Sequence, residues 1–294
     1  MTRPTRAHAL LALALTLSFA QPSSAIVIRH DVDASRYQAS STDFPPLATL
    51  YRVGAHGTLI HPQWVLTAAH TVFCLDKGQP IRVGEEIVEV EARYSHHRYQ
   101  LDGPHDLALI KLARPVHSVV PAEPYTERDE AGRQVWFIGS GGSGTGLKGQ
   151  ASGKRDGQLR RAQNRVEAAD GGDLVFRFDR GDQAEPLEGV SGNGDSGGPA
   201  FVQQQAHGRY RLLGVSSRTD SWLHQVGEYG VKERYTRVSA YQDWLRTVMQ
   251  GTPEQVAAVS TQQAFLQPQM KGRDMVQLCR SLRVDASSAA VAAR

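Results

Sequence analysis

The sequence predicts an all-β chain. Three features carry this reading: six short β-rich runs at 47–53, 57–60, 64–67, 81–83, 87–94 and 107–112, six more at 135–138, 165–166, 174–178, 199–202, 210–216 and 235–238, and turn residues between them. The clearest helical spacing is at 239–249, where Tyr241, Trp244, Leu245 and Val248 share one face. Strand runs alone do not fix topology, so barrel and sandwich both stay open at this point.

At the amino terminus, Arg3 and Arg6 precede an apolar stretch over 9–20, and Ser23-Ser24-Ala25 offers small residues for cleavage. Residues 1–25 therefore read as a secretory signal, and export to a secreted or periplasmic location is expected. The stretch is shorter than the roughly 20 apolar residues of a membrane span, and none follows that is longer, so no stable span is expected. Of the 294 residues, 40% are hydrophobic and 21% charged, which is enough apolar material for one large or two small cores. The formal charge of +3 falls to +1 without Arg3 and Arg6, with 31 basic side chains against 30 acidic, so a nucleic-acid partner gains no support. A monomer is expected. The tail, 251–294, is rich in Ala, Gln, Ser and Val, and its Met275, Val276, Cys279 and Leu282 form a short apolar face suited to packing on the body.

The chemistry centres on Gly192-Asn193-Gly194-Asp195-Ser196-Gly197-Gly198-Pro199, where a serine sits among glycines that let the backbone bend and a ligand approach. A hydroxyl attacks an acyl carbon only with a base for its proton and donors for the oxyanion. Thr67-Ala68-Ala69-His70 supplies a histidine at the end of an apolar run, and His105-Asp106-Leu107-Ala108-Leu109-Ile110 an aspartate at the start of one. In these segments and in their order, the chain resembles the trypsin and chymotrypsin-like serine protease family, whose hallmark strings are TAAH, D-(I/L)-A-L-(I/L) and GDSGGP. The resemblance implies two antiparallel β-barrels, over about 26–130 and 131–250, with a closing C-terminal helix. It also implies hydrolysis of protein or peptide substrates with no cofactor or metal. Ser196 is then the nucleophile, His70 its base and Asp106 the orienting carboxylate. Gly194 and Ser196 supply oxyanion-hole N–H groups, and Asp195 pairs with a free amino terminus.

Other readings compete. Gly194, Ser196 and Gly198 also satisfy G-x-S-x-G, the nucleophile elbow of α/β-hydrolase esterases, with Asp220 and His224 as the later partners; that fold needs helices alternating with parallel strands, which this pattern lacks. A binding module on a protease fold with its chemistry lost is a third. Residues 139–144 match G-x-G-x-x-G, but no helix follows, so a mobile surface loop is expected rather than a dinucleotide site. His96-His97 lacks the rest of a metal-ligand set and reads as solvated or packed.

The resemblance also speaks to specificity. Six residues before Ser196, where an aspartate would select Arg or Lys, stands Val190, which predicts apolar or small side chains at the cleaved position. Ser216-Ser217-Arg218 stands where the family commonly has Ser-Trp-Gly, so that Arg218 would narrow the entrance, while Glu233 is the alternative that would restore a negative charge. The family's cysteine pair is missing together, at Thr71 and Ala55. Cys74 and Cys279 are the only cysteines of an expected exported chain, and either bridge to each other or remain two free thiols. Cleavage after Ala25 would expose Ile26-Val27, the way mature family members begin, although Ile28-Arg29 replace two usual glycines. An Ile26 ammonium would pair with Asp195; otherwise Ile26 starts an ordinary surface segment.

Overall fold

A computed structural model describes residues 26–51, 53–151, 157–204, 209–220 and 225–261. Leu47–Leu50, Ala55–His61, Trp64–Thr67, Pro80–Val83, Glu86–His96 and Ala108–Leu112 form one antiparallel barrel, closed because Glu86–His96 pairs with both Pro80–Val83 and Ala108–Leu112. Alternation drives the closure: Ile81 and Val83 turn inward while Pro80 faces solvent. With Leu50, Leu59, Val65, Val88, Val90 and Ile110 they fill the interior.

The second barrel joins Gln134–Gly139, Arg160–Asp170, Asp173–Arg177, Pro199–Gln204, Arg209–Asp220 and Lys232–Arg237, and closes where Pro199–Gln204 meets Arg209–Asp220. Phe137, Phe176 and Tyr235 anchor its core, with ring centroids 4.8 to 5.0 Å apart. Every β-rich run of the sequence overlaps a strand. The run at 165–166 is the visible part of an 11-residue strand, Arg160–Asp170, whose buried side chains include Arg160 and Asn164. Polar residues turned inward hide that strand from a count of hydrophobic alternation.

Between the barrels, Phe44, Leu66, Leu107, Leu109, Ile138, Phe201 and Leu212 make a third apolar layer. Helix α1 (Gln242–Gln250) follows a 3₁₀ turn at Val238–Tyr241 and covers this layer with Trp244, Leu245 and Val248, the face read from the sequence. A second helix, α2 (Pro253–Val259), was not expected. Its start is written in the sequence as a capping box, Thr252 with Gln255, and a proline in the first turn. Ser260–Thr261 then pairs with Ser95 and His96 of the first barrel. The expected signal over 1–25 and the apolar face of Met275, Val276, Cys279 and Leu282 lie outside the described residues. Among the described residues no helix is long and apolar enough to cross a membrane.

A small third sheet corrects two expectations. Ile26–Ile28 lies between Ser143–Thr145 and Gly189–Val190, and Ile26 is 1% exposed, so it starts no surface segment. The Gly139–Gly144 stretch is likewise no surface loop. A Cβ on Gly139 would stand 2.1 Å from Asp195 Oδ1, and one on Gly141 2.7 Å from Asp195 N, so these glycines are the wall of a carboxylate pocket.

Candidate active site

The three sequence-derived residues converge between the barrels. His70 sits in a 3₁₀ turn, Ala69–Thr71, that ends the apolar Trp64–Thr67 strand. Thr71, in place of the family's cysteine, is buried and its hydroxyl donates to Ala68 O at 2.8 Å, which ties this turn down. Asp106 is 2% exposed; its Oδ1 accepts from the His70 N–H at 3.0 Å and its Oδ2 lies 2.7 Å from His70 Nδ1. A carboxylate only accepts, so Nδ1 carries the proton and Nε2 keeps a free lone pair.

Burial alone would lower the His70 pKa, but the charge and hydrogen bond of Asp106, with a smaller contribution from the Asp102 charge, leave it above the ordinary histidine value. Burial opposes the Asp106 charge, yet His70 and the hydrogen bonds from the His70 N–H and Ser217 hold its carboxyl below the usual range. Asp106 therefore stays ionised and His70 is a stronger base than a free imidazole.

Ser196 and His70 both line a cavity of about 580 Å³. The hydrogen bonds that His70 makes among the described residues go to Asp106, and none joins it to Ser196 Oγ, an open geometry common in sites without substrate. The nucleophile loop hangs on both barrels: His56 N–H donates to Ser196 O at 2.9 Å, and Gly197 N–H to Ser216 O at 2.9 Å. Gly197 has φ +75, and a Cβ there would lie 2.2 Å from Thr67 Oγ1. Gly194, with φ +104, occupies a region that favours glycine.

Asp195 is 3% exposed and turns away from the cavity. Its Oδ1 accepts from Gly141 N–H at 2.7 Å and its Oδ2 from Gly192 N–H at 2.8 Å. His56, which the sequence did not single out, places Nε2 3.9 Å from Asp195 Oδ1. That nitrogen accepts from Ser140 N–H at 3.0 Å.

The specificity residues separate. Val190 is fully buried, pairs with Val27 and packs with Phe178 and Val231, and it is not among the residues that line the cavity, although its neighbour Ser191 is. Glu233 lines the cavity and accepts from Ser191 N–H at 3.0 Å. Burial pushes its carboxyl up to about 8; the Ser191 N–H counters this in part, and the Asp195 charge adds to it.

Arg218 also lines the cavity, with its guanidinium paired to Asp173 and reaching Gly103 O at 3.4 Å. Thr219 is the residue opposite Glu233. Ser217, missed in the sequence, donates to Asp106 Oδ2 at 2.7 Å, while Ser216 Oγ lies beside Ser191 Oγ at 3.4 Å. A register shift between Ser216 and Arg218 decides which serine faces the aspartate, and no sequence signal marks it. Of the α/β-hydrolase partners, Asp220 is engaged by Arg234, His224 lies outside the described residues, and the paired antiparallel barrels exclude that fold.

Comparison with known proteins agrees with this architecture. The trypsin family model matches residues 34–245. Serine protease SSP1 of Scolopendra subspinipes is 27% identical over 277 residues, spanning 83% of this chain and 94% of that protein. Snake venom serine protease Dav-X of Deinagkistrodon acutus is 31% identical over 127 residues, 38% of this chain and 46% of its own. Tryptase of Mus musculus is 33% identical over 108 residues, 31% and 39% of the two chains. With its paired barrels and the match over most of its length, the chain belongs to the trypsin family and is a serine-type endopeptidase.

Proposed function

We propose that Ser196, His70 and Asp106 are the triad of an exported endopeptidase that acts as a monomer on protein or peptide substrates. The observation that carries this reading is the 2.7 Å contact of His70 Nδ1 with Asp106 Oδ2, on a ring that shares its cavity with Ser196. Ser196 Oγ attacks the scissile carbonyl carbon as His70 Nε2 takes its proton. Asp106 holds the ring and stabilises the imidazolium. The N–H groups of Gly194 and Ser196 receive the oxyanion. Collapse breaks the C–N bond, His70 protonates the leaving amine, and a water activated by the same ring hydrolyses the acyl-enzyme.

The test is labelling of Ser196 by a fluorophosphonate probe, together with turnover of Ser196→Ala and His70→Ala. Each variant should stay folded and lose on the order of 10⁶-fold in turnover, the scale of such knockouts in a serine protease. Parental turnover by purified Ser196→Ala would overturn the nucleophile assignment.

Glu233, rather than Val190, sets the primary preference in this reading. A Lys or Arg side chain entering beside Ser191 meets Glu233, and the incoming cation favours the ionised carboxylate. Support comes from the placement of Glu233 on the cavity and of Val190 in the core.

A further inference from the structure

Three imidazoles stack in a row beside the triad. The His96 ring lies 4.8 Å from that of His105 at 8°, and 4.9 Å from that of His97 at 19°. Tyr241 meets both His96 and His105 edge-on. At the inner end, His105 immediately precedes Asp106, and its Nδ1 lies 2.9 Å from Tyr241 OH. At the outer end the C-terminal extension closes on the row. His97 N–H donates to Val259 O at 3.1 Å, Trp244 Nε1–H donates to the same oxygen at 2.9 Å, and Ser260 pairs with His96.

The inner end bears on catalysis through the backbone. His105 has φ +65, a region uncommon for residues other than glycine. Leu107 N–H donates to His105 O at 2.8 Å, so the chain reverses tightly around Asp106, and His96 N–H fixes Leu107 O at 2.9 Å. The direction of the Asp106 carboxylate toward His70 therefore depends on a backbone angle that His105 must sustain. The flat stack on His96 and the contact with Tyr241 hold its side chain in the one place compatible with that angle.

We propose that His105 is a positioning residue for Asp106, and that the extension Pro253–Thr261, by closing the outer end of the stack, belongs to the catalytic scaffold. The inference rests on the triad reading above. His105→Val puts a β-branched side chain at positive φ and removes the stack. It should lower kcat roughly ten- to hundredfold with KM unchanged, the scale of a small misplacement at a reacting centre. It should also shift the acid limb of the pH profile downward, because a displaced Asp106 supports the His70 charge less.

His105→Asn tolerates the same backbone region but also lacks the stack, so it should recover only part of the kcat lost in His105→Val. His97→Ala, at the outer end, and Tyr241→Phe, which keeps the ring, should each lower kcat several-fold at constant KM. Unchanged kcat in folded His105→Val overturns the proposal; if that variant does not fold, unchanged kcat in both His97→Ala and Tyr241→Phe does so. An equal loss in His105→Asn and His105→Val also overturns it. Asp106→Asn is the control. If it leaves turnover intact, the triad reading fails, whereas its loss alongside unaffected stack variants removes only this inference.

Discussion

Thr219 stands directly opposite Glu233 across the pairing of Arg209–Asp220 with Lys232–Arg237, and both line the cavity that holds Ser196. A carboxyl held near 8 by burial is mostly protonated in the empty pocket below that value. Binding a basic side chain must then release a proton, so KM for Lys and Arg substrates should fall as pH rises toward and through about 8. A peptide-library profile should show Lys and Arg at the cleaved position, and Glu233→Gln should reduce that preference by about 30-fold or more, the scale of truncating a buried charge pair. A profile of small apolar residues in both proteins would return the decision to Val190 or Thr219.

In the proposed triad the His70 and Asp106 pair sets the acid limb of activity. The base works only when neutral, and its pKa is raised, so kcat/KM should climb through a pH above the ordinary 6.5 or so of histidine. Asp106→Asn removes the charge that opposes burial; the midpoint should move to lower pH while the plateau drops about 10⁴-fold, as for the same exchange in a Ser-His-Asp triad. The pairing also adds stability that is fully present below the unfolded value of about 6.5 and is lost as pH rises through the folded one. An acid limb that does not move in Asp106→Asn would remove His70 as the titrating base.

The residues legible in the sequence were those whose chemistry is local. Ser196 and Gly197 are read from one string because a strained loop demands glycine whatever the surroundings. The α1 face was legible because four apolar residues at helical spacing have one way to be buried. Glu233 against Val190, and Ser217 against Ser216, could not be decided in this way. Each depends on which face a strand presents, and for Ser217 against Ser216 the register shift between Ser216 and Arg218 sets that face. Arg160–Asp170 was hidden for a different reason: its inward Asn164 donates to the carbonyls of Arg177 and Gly189, tertiary partners that only the folded chain supplies.

Cys74, four residues beyond His70, is disulfide-bonded, and its expected partner, Cys279, lies outside the described residues. Arg93 holds the same turn, with Nη1 donating to Val72 O at 2.8 Å. A bridge to Cys279 closes a loop long enough for a stabilisation of roughly 5 kcal/mol at most. Reduction should therefore lower the melting temperature by several degrees, up to about 15 °C for a domain of this size. Thiol titration of the denatured, unreduced protein should find no free thiol, and two free thiols would rule the bridge out.

We propose that activation turns on Ile26. It pairs with Ser143 and its neighbour Val27 with Val190, each two residues from a glycine, Gly141 or Gly192, whose N–H holds the Asp195 carboxylate. The start of this strand is thereby aimed at the Asp195 pocket. Ile26 also carries φ +60, a strained conformation for a β-branched residue that costs on the order of 1–3 kcal/mol. That angle exists only while residue 25 is attached. Cleavage after Ala25 would abolish it and create an ammonium for Asp195, fixing the loop that carries the Gly194 N–H. Protein beginning at Ile26 should therefore be fully active, and protein with two extra residues before it should fold but lose about 10²-fold or more, the cost of removing an oxyanion donor. Equal turnover in the two preparations would show that the amino terminus plays no part.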